Sequence, residues 1–274
     1  YSNSLHYSCE IHPYVSEFSY ICKIKQDNMD SIRNRRTIRK YKQQDIPAEL
    51  LNGLLEEAFR ASTMGNMQLY SVVVTRDAER KALLAPAHFN QPMVTSAPVV
   101  LTFCADFNRF SKWCRQRKAE PGYDNLISFI NAASDTLLAV QNFCTLAEDR
   151  GLGICYLGTT VYNPDQIIDI LHLPELVVPV ATITVGYPDE CPAQPDRLPL
   201  SGIIHEEEYH DYTPEAIDAI YAMKESLPEN KHFVEINHTE TLAQIFTNIR
   251  YKKSDNEFMS EGLKRTLKRQ GFDK

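Results

Sequence analysis

No apolar stretch in this 274-residue sequence reaches the ~18 residues that a membrane-spanning helix needs. The chain does not open on a cationic stretch followed by an apolar one, so secretion is not expected. Excess positive charge is also missing: 29 Lys and Arg face 36 Asp and Glu, a formal net charge of -7. That balance argues against nucleic acid or an anionic membrane as the main partner. The cysteines form no C-x-x-C pair. They are odd in number, at Cys9, Cys22, Cys104, Cys114, Cys144, Cys155 and Cys191. Several stand in apolar runs, where a reduced thiol behaves as a small hydrophobe, and a reducing cytoplasm is the expected location. There is no G-x-S-x-G elbow, no Walker glycine-lysine loop, no internal repeat and no low-complexity tract. Gly151-x-Gly153 does not make a Rossmann fingerprint: it follows a helical pattern, and the third glycine, Gly158, comes too late. Its expected job is to end a helix and turn into a strand. His205 and His210 are five residues apart, on different faces of any helix, so no zincin-type metal site is expected.

What is present is a chain long enough for one large domain or two small ones, with 43% hydrophobic residues to build a core. Residues 1–28 are rich in Tyr, Ser and His, show no period, and precede Met29-Asp30-Ser31-Ile32. They are expected to be an extension outside the fold and poorly ordered. From Pro47, a good first helical residue, Leu50, Leu51, Leu54, Leu55, Ala58 and Phe59 recur at helical spacing. Ser71–Thr75, Pro98–Cys104 and Val177–Val185 read as strands, and the continuous apolar runs fit a sheet covered on both faces. Residues 78–84 read as a short helix. Asp124–Arg150 contains no proline or glycine and reads as one long helix, apolar on most of its circumference. Such a helix must be covered on most sides, and a second subunit could supply the cover. Asn163-Pro164-Asp165 reads as a helix start with an N-cap. Thr213 and Thr239 are candidate caps for later helices, and Phe258–Gln270 reads as a closing basic helix.

The densest chemistry is Arg35-Arg36-Thr37-Ile38-Arg39-Lys40-Tyr41. Arginine forks beside a hydroxyl suit a phosphate, because each guanidinium can bind two oxygens and keeps its charge. A solvated basic surface is the plainer reading of the segment alone. Three further stretches accompany it in order. Ala61-Ser62-Thr63-Met64-Gly65-Asn66-Met67-Gln68 is a turn of small and polar residues. Tyr156-Leu157-Gly158-Thr159 closes a short apolar strand. Arg197-Leu198-Pro199 follows the last strand.

In this order and spacing the four stretches resemble the nitroreductase superfamily, in its branch of oxygen-insensitive NAD(P)H nitroreductases and flavin reductases, over about Met29 to Tyr212. The resemblance implies an α+β fold: a mixed β-sheet flanked by helices, in an intertwined homodimer. It divides the chain into a flavin-binding domain at 29–212 and a C-terminal helical extension at 213–274 reaching over the partner. It implies FMN as cofactor, with Arg35, Arg36, Thr37, Arg39 and Arg197 toward its phosphate and ribityl chain. It places Ser62, Thr63, Met64, Gln68 and Gln91 around the flavin, partly from the opposite subunit. Tyr156, Leu157, Gly158 and Thr159 would present backbone to the ring. Pro195 stands where the branch has a lysine, so one phosphate cation is missing, and Lys40 is a possible substitute. NAD(P)H would be the electron donor. Nitroaromatics, quinones or flavins would be the acceptors in a ping-pong cycle, with the chemistry carried by FMN rather than by a catalytic side chain. The alternatives left open are another FMN reaction on the same scaffold, such as a dehalogenase or an oxidase, or a flavin-binding module without turnover.

Overall fold

The computed structural model of the protein describes residues 30–274. The expectation for residues 1–28 lies outside the described residues. The elements follow in the order α1 (Asp30–Arg33), α2 (Ala48–Ala58), β1 (Tyr70–Thr75), α3 (Ala78–Leu84), α4 (Pro92–Ser96), β2 (Val99–Asp106) and α5 (Asn108–Gln116). Then come α6 (Leu126–Asp149), β3 (Gly153–Leu157), α7 (Pro164–Leu171), β4 (Val177–Gly186), α8 (Pro214–Ser226), α9 (Pro228–Ile236), α10 (Leu242–Gln244) and α11 (Lys253–Arg269).

The four strands form one sheet in the order β1-β2-β4-β3. Where a mixed sheet was expected, each of the three pairings among the described residues is antiparallel. β2 and β4 hold the centre and are buried along their whole length. Their side chains alternate between two faces. One face joins Leu101, Phe103 and Ile183 to Leu54 and Leu55 of α2 and to Val140 and Phe143 of α6. On the other, Cys155 and Leu157 of β3 meet Leu84, Met93, Val94 and Ile167. Burying so much apolar surface on both sides at ~25 cal/mol per Å² is the main force holding the layers together.

The long helix starts two residues later than expected. Asn125 is its cap, and the Asn125 side chain accepts a hydrogen bond from the Ser128 backbone N–H. It ends where Gly151 takes φ +77°, a left-handed turn that suits glycine. Its sheet-side face is buried. Leu126, Ile127, Ile130, Leu137 and Leu138 form an exposed apolar face on the rest. Asn163 occupies the N-cap position of α7 but makes no capping bond; its amide donates to the Ala87 carbonyl instead, at 3.0 Å. Thr213 caps α8. The cap expected at Thr239 falls two residues on, at Thr241, whose hydroxyl accepts from the Gln244 N–H. The closing helix begins five residues earlier than Phe258, at Lys253. Its end returns to the body of its own chain. Arg269 pairs with Asp165 and Asp169 of α7, the Gln270 amide donates to the carbonyls of Pro174 and Val177, and Phe272 is buried beside Phe129.

Candidate functional site

The arginine stretch runs beside β3 and is bonded to it. The Ile38 N–H donates to the Ile154 carbonyl at 2.9 Å. A side chain at Gly153 would stand 2.7 Å from Ile38, so the two backbones meet closely because that residue is glycine. The buried Tyr41 hydroxyl bonds the Ile38 carbonyl at 2.8 Å and Thr184 of β4 at 2.7 Å, and burial pushes its phenol well above the usual range. The loop after β4 straps the other side. Asp189 N–H donates to the Lys40 carbonyl and Lys42 N–H to the Tyr187 carbonyl. The Glu190 carboxylate accepts from the N–H groups of Arg39 at 2.6 Å and Lys40 at 3.0 Å. The Arg36 guanidinium donates to Cys191 Sγ and the Pro192 carbonyl, each at 3.1 Å. Arg35, Arg36 and Thr37 are half-buried and Arg39 is exposed. Arg35 has a carboxylate nearby, Glu148 on α6, with Nε to Oε2 at 3.9 Å. Backbone bonds thus fix the segment, and it carries three guanidinium groups on one short stretch, a donor set that fits a dianionic phosphate, although Arg36 already bonds Cys191 and Pro192.

At the far end of β3, Leu157 is buried, Tyr156 and Gly158 are exposed and Thr159 is half-buried. The Thr159 hydroxyl is hydrogen-bonded to His88 Nδ1 at 2.8 Å. His88 is fully buried, and burial alone pushes its pKa down to about 4. The ring is therefore neutral at neutral pH. Phe89 and Asn90 follow at φ +54° each, and the Gln91 N–H donates back to the His88 carbonyl at 3.2 Å. His88 is thus the junction that brings Gln91 and Thr159 together.

The turn at 62–68 is anchored on α6 as well. Buried Asp135 accepts from the Thr63 hydroxyl at 2.7 Å, the Met64 N–H at 2.9 Å and the Leu69 N–H at 3.4 Å. The Thr63 hydroxyl also accepts from the Gln68 N–H at 2.8 Å. Thr63, expected beside the flavin, is therefore engaged inside the turn. Asn66 and Gln68 both take left-handed φ, +56° and +55°, an unfavourable geometry for non-glycine residues. Arg109 of α5 holds the exit of the turn, its guanidinium donating to the carbonyls of Gln68 and Tyr70. A cavity of about 530 Å³ adjoins it, lined by Leu55, Phe59, Met67, Gln68, Tyr70, Ser71, Val72 and Arg109. Ser62 and Met64 are exposed.

The expected residues therefore fall into two groups. One holds Arg35, Arg36, Thr37 and Arg39, with Tyr156–Thr159 and Gln91 further along the β3 edge of the sheet. The other holds Ser62–Gln68 at the β1 edge. At about 1.5 Å of rise per residue, their anchors on α6, Glu148 and Asp135, lie about 20 Å apart. Arg197 joins neither. Its guanidinium turns back on the carbonyls of Pro195 and Asp196, and Asp196 in turn pairs with Lys224 of α8 at 2.9 Å. His205, whose ring stacks on Tyr209, has its nitrogens taken by Tyr212 and by the His210 N–H. Among the described residues no helix is long and apolar enough to cross a membrane.

Glu148, His88, Asp135 and Arg109 are the site residues the sequence did not reveal. Each is a single polar residue on an otherwise ordinary helix or turn, and its partners lie far off in sequence.

Residues 32–187 match the model of the nitroreductase family. An FMN reductase (NADPH) of Bacillus subtilis is 32% identical over 67% of this chain and 75% of its own length. A crystal structure of a provisionally described oxidoreductase from Bacteroides fragilis is 70% identical, with a TM-score of 0.89, covering 90% of this chain and all of its own. The NfrA1 nitroreductase of B. subtilis is 28% identical, with a TM-score of 0.79, over 89% of this chain and 98% of its own.

Proposed function

This chain belongs to the nitroreductase family, and on that footing we propose that it works as an NAD(P)H-dependent FMN oxidoreductase. The observation that carries the reading is the arginine segment itself. Arg35, Arg36 and Arg39 are gathered on a backbone held by β3, Tyr41 and the Glu190 carboxylate, so the backbone needs little ordering to present them to a phosphate. Its description as an FMN reductase supports the same reading for the B. subtilis relative. When bound, FMN supplies two-electron chemistry, accepting hydride from a reduced nicotinamide and passing it to a nitroaromatic, quinone or flavin acceptor.

The chain's own residues bind and orient. Arg35, Arg36, Thr37 and Arg39 take the phosphate and ribityl chain. Backbone from Tyr156 to Thr159 faces the ring, with Thr159 held in place by the neutral His88. Gln91 borders the ring from the loop that His88 organises. Ser62, Met64 and Gln68 lie at the opposite edge of the same chain's sheet, so they reach this pocket from a second copy. The uncovered apolar face of α6 is where that copy packs. The working unit is then a homodimer with its sites at the subunit boundary.

Adding NADPH without oxygen to the purified yellow protein should bleach its visible flavin absorption, and a quinone or nitroaromatic should restore it. Initial rates at several NADPH concentrations should give parallel double-reciprocal lines, because donor and acceptor use one pocket in turn. A spectrum unmoved by either nicotinamide would overturn the oxidoreductase reading. Intersecting lines would mean a separate nucleotide site.

A further inference from the structure

Glu148 is out of place at the end of α6. Both of its carboxylate oxygens are buried and neither accepts a hydrogen bond. Its side chain is 11% exposed. Among the described residues the cation it faces is Arg35, at 3.9 Å, too far for a hydrogen bond. A buried carboxylate in this position is poorly compensated as an anion and costs less to bury as a neutral acid.

We propose that Glu148 is a proton-linked positioning residue of the arginine segment, ionised and paired with Arg35 when no anion is bound there, and protonated when a phosphate monoester takes Arg35. The inference rests on the FMN reading above. Burial pushes the Glu148 carboxyl up to about 7, with Arg35 opposing that rise. The other groups around it do not compete. Cys144, one turn back on α6, is pushed up to about 12 by burial. Cys155 of β3 is also pushed up by burial, against the opposing pull of Arg39 and Arg35. Both thiols stay neutral at neutral pH. Arg150, two residues on, turns away to pair with Glu57 at 3.1 Å.

The direction follows from linkage. A dianion on Arg35 removes the charge that favours ionised Glu148 and adds repulsion, so its proton is held more tightly in the complex. Binding then takes up a proton, and affinity falls as pH rises through 7 and above. The phosphate's own second ionisation, near pH 6, works the opposite way and acts equally in any variant of Glu148.

The test is FMN titrated onto the full chain at pH 6 and pH 8, followed by flavin fluorescence, in the wild type and in Glu148→Gln. The wild-type dissociation constant should rise roughly five- to tenfold over this range. Glu148→Gln, which keeps the shape and cannot titrate, should bind FMN at pH 8 at least as tightly as the wild type and lose that rise. Riboflavin, which lacks the phosphate, should show no such dependence with either protein. Calorimetry of the wild type at pH 7.5, in two buffers of different ionisation heat, should show an uptake of roughly half a proton per FMN. That measurement stands even if the variant does not fold. Equal pH slopes in the two proteins, or no proton uptake by the wild type, would overturn the proposal. If Arg36→Ala and Arg39→Ala also leave FMN affinity unchanged, the phosphate reading itself is lost. If those variants bind weakly while the pH slopes match, only the role of Glu148 is.

Discussion

The arginine segment and the turn at 62–68 hang from the same helix, yet they are held in different ways. The arginine segment is fixed mainly through its backbone, by β3, Tyr41 and Glu190, with the Arg36 guanidinium adding bonds to Cys191 and Pro192. The turn is fixed by one side chain, Asp135, which gathers Thr63, Met64 and Leu69 around a backbone in unfavourable geometry. A region built the first way can lose a side chain and keep its shape. A region built the second way cannot lose its anchor. Affinity and stability should therefore separate between the two.

The proposed contact between two copies should be the most fragile element. Leu137→Glu puts a charge on the uncovered apolar face of α6 and should give monomeric protein without flavin, by sedimentation and absorbance. A yellow dimer in that variant would show that the face is not the interface. Next comes the anchor of the turn. Asp135→Ala leaves buried N–H groups unmatched, and should cost about 3 kcal/mol or more in urea unfolding. A loss below about 1 kcal/mol would mean the turn holds itself and would erase the contrast drawn above.

The third prediction concerns acid. His88 is depressed from the ordinary histidine value of 6.5 to about 4 in the folded chain. Between those values the unfolded chain binds the proton and the folded chain does not. Stability is thus intact above pH ~6.5 and falls as pH drops toward 4, by about 3 kcal/mol in all. His88→Gln should flatten that part of the pH–stability curve, and an unchanged curve would place the acid sensitivity elsewhere. The smallest effect belongs to the arginines. Arg36→Ala and Arg39→Ala should each weaken FMN binding about tenfold or more by fluorescence quenching, while moving the unfolding midpoint little. A large stability loss in either would show that the guanidinium, not the backbone, holds this region.

The sequence displayed what is dense or periodic. Three arginines within five residues made the segment a candidate for a phosphate once the other stretches stood beside it, and β-branched runs announce strands such as Tyr70–Thr75 and Val177–Gly186. The antiparallel pairing of the strands was not visible, because apolar runs say that a strand is buried and not which way its neighbour points. The choice between Thr239 and Thr241 as a cap turns on a hydroxyl orientation two residues away. Asn163 looked like a cap and was taken by Ala87, from an element far back in the chain. Arg197 has the residue type a phosphate needs, yet local carbonyls claim its guanidinium. Glu148, His88 and Asp135 act through single contacts with distant segments, and no local spacing encodes those.

Because α6 carries both Asp135 and Glu148, it works as a ruler with marks on two faces. Inserting one residue between those marks would turn one of them about 100° from its target and move it about 1.5 Å. Deleting one would do the same in reverse. Two extra turns, about seven residues, would nearly restore the facing but lengthen the ruler by about 10 Å. The length of this stretch is therefore a constraint separate from the packing of its side chains. A change in the number of residues between 135 and 148 would mark a protein whose site has been laid out anew.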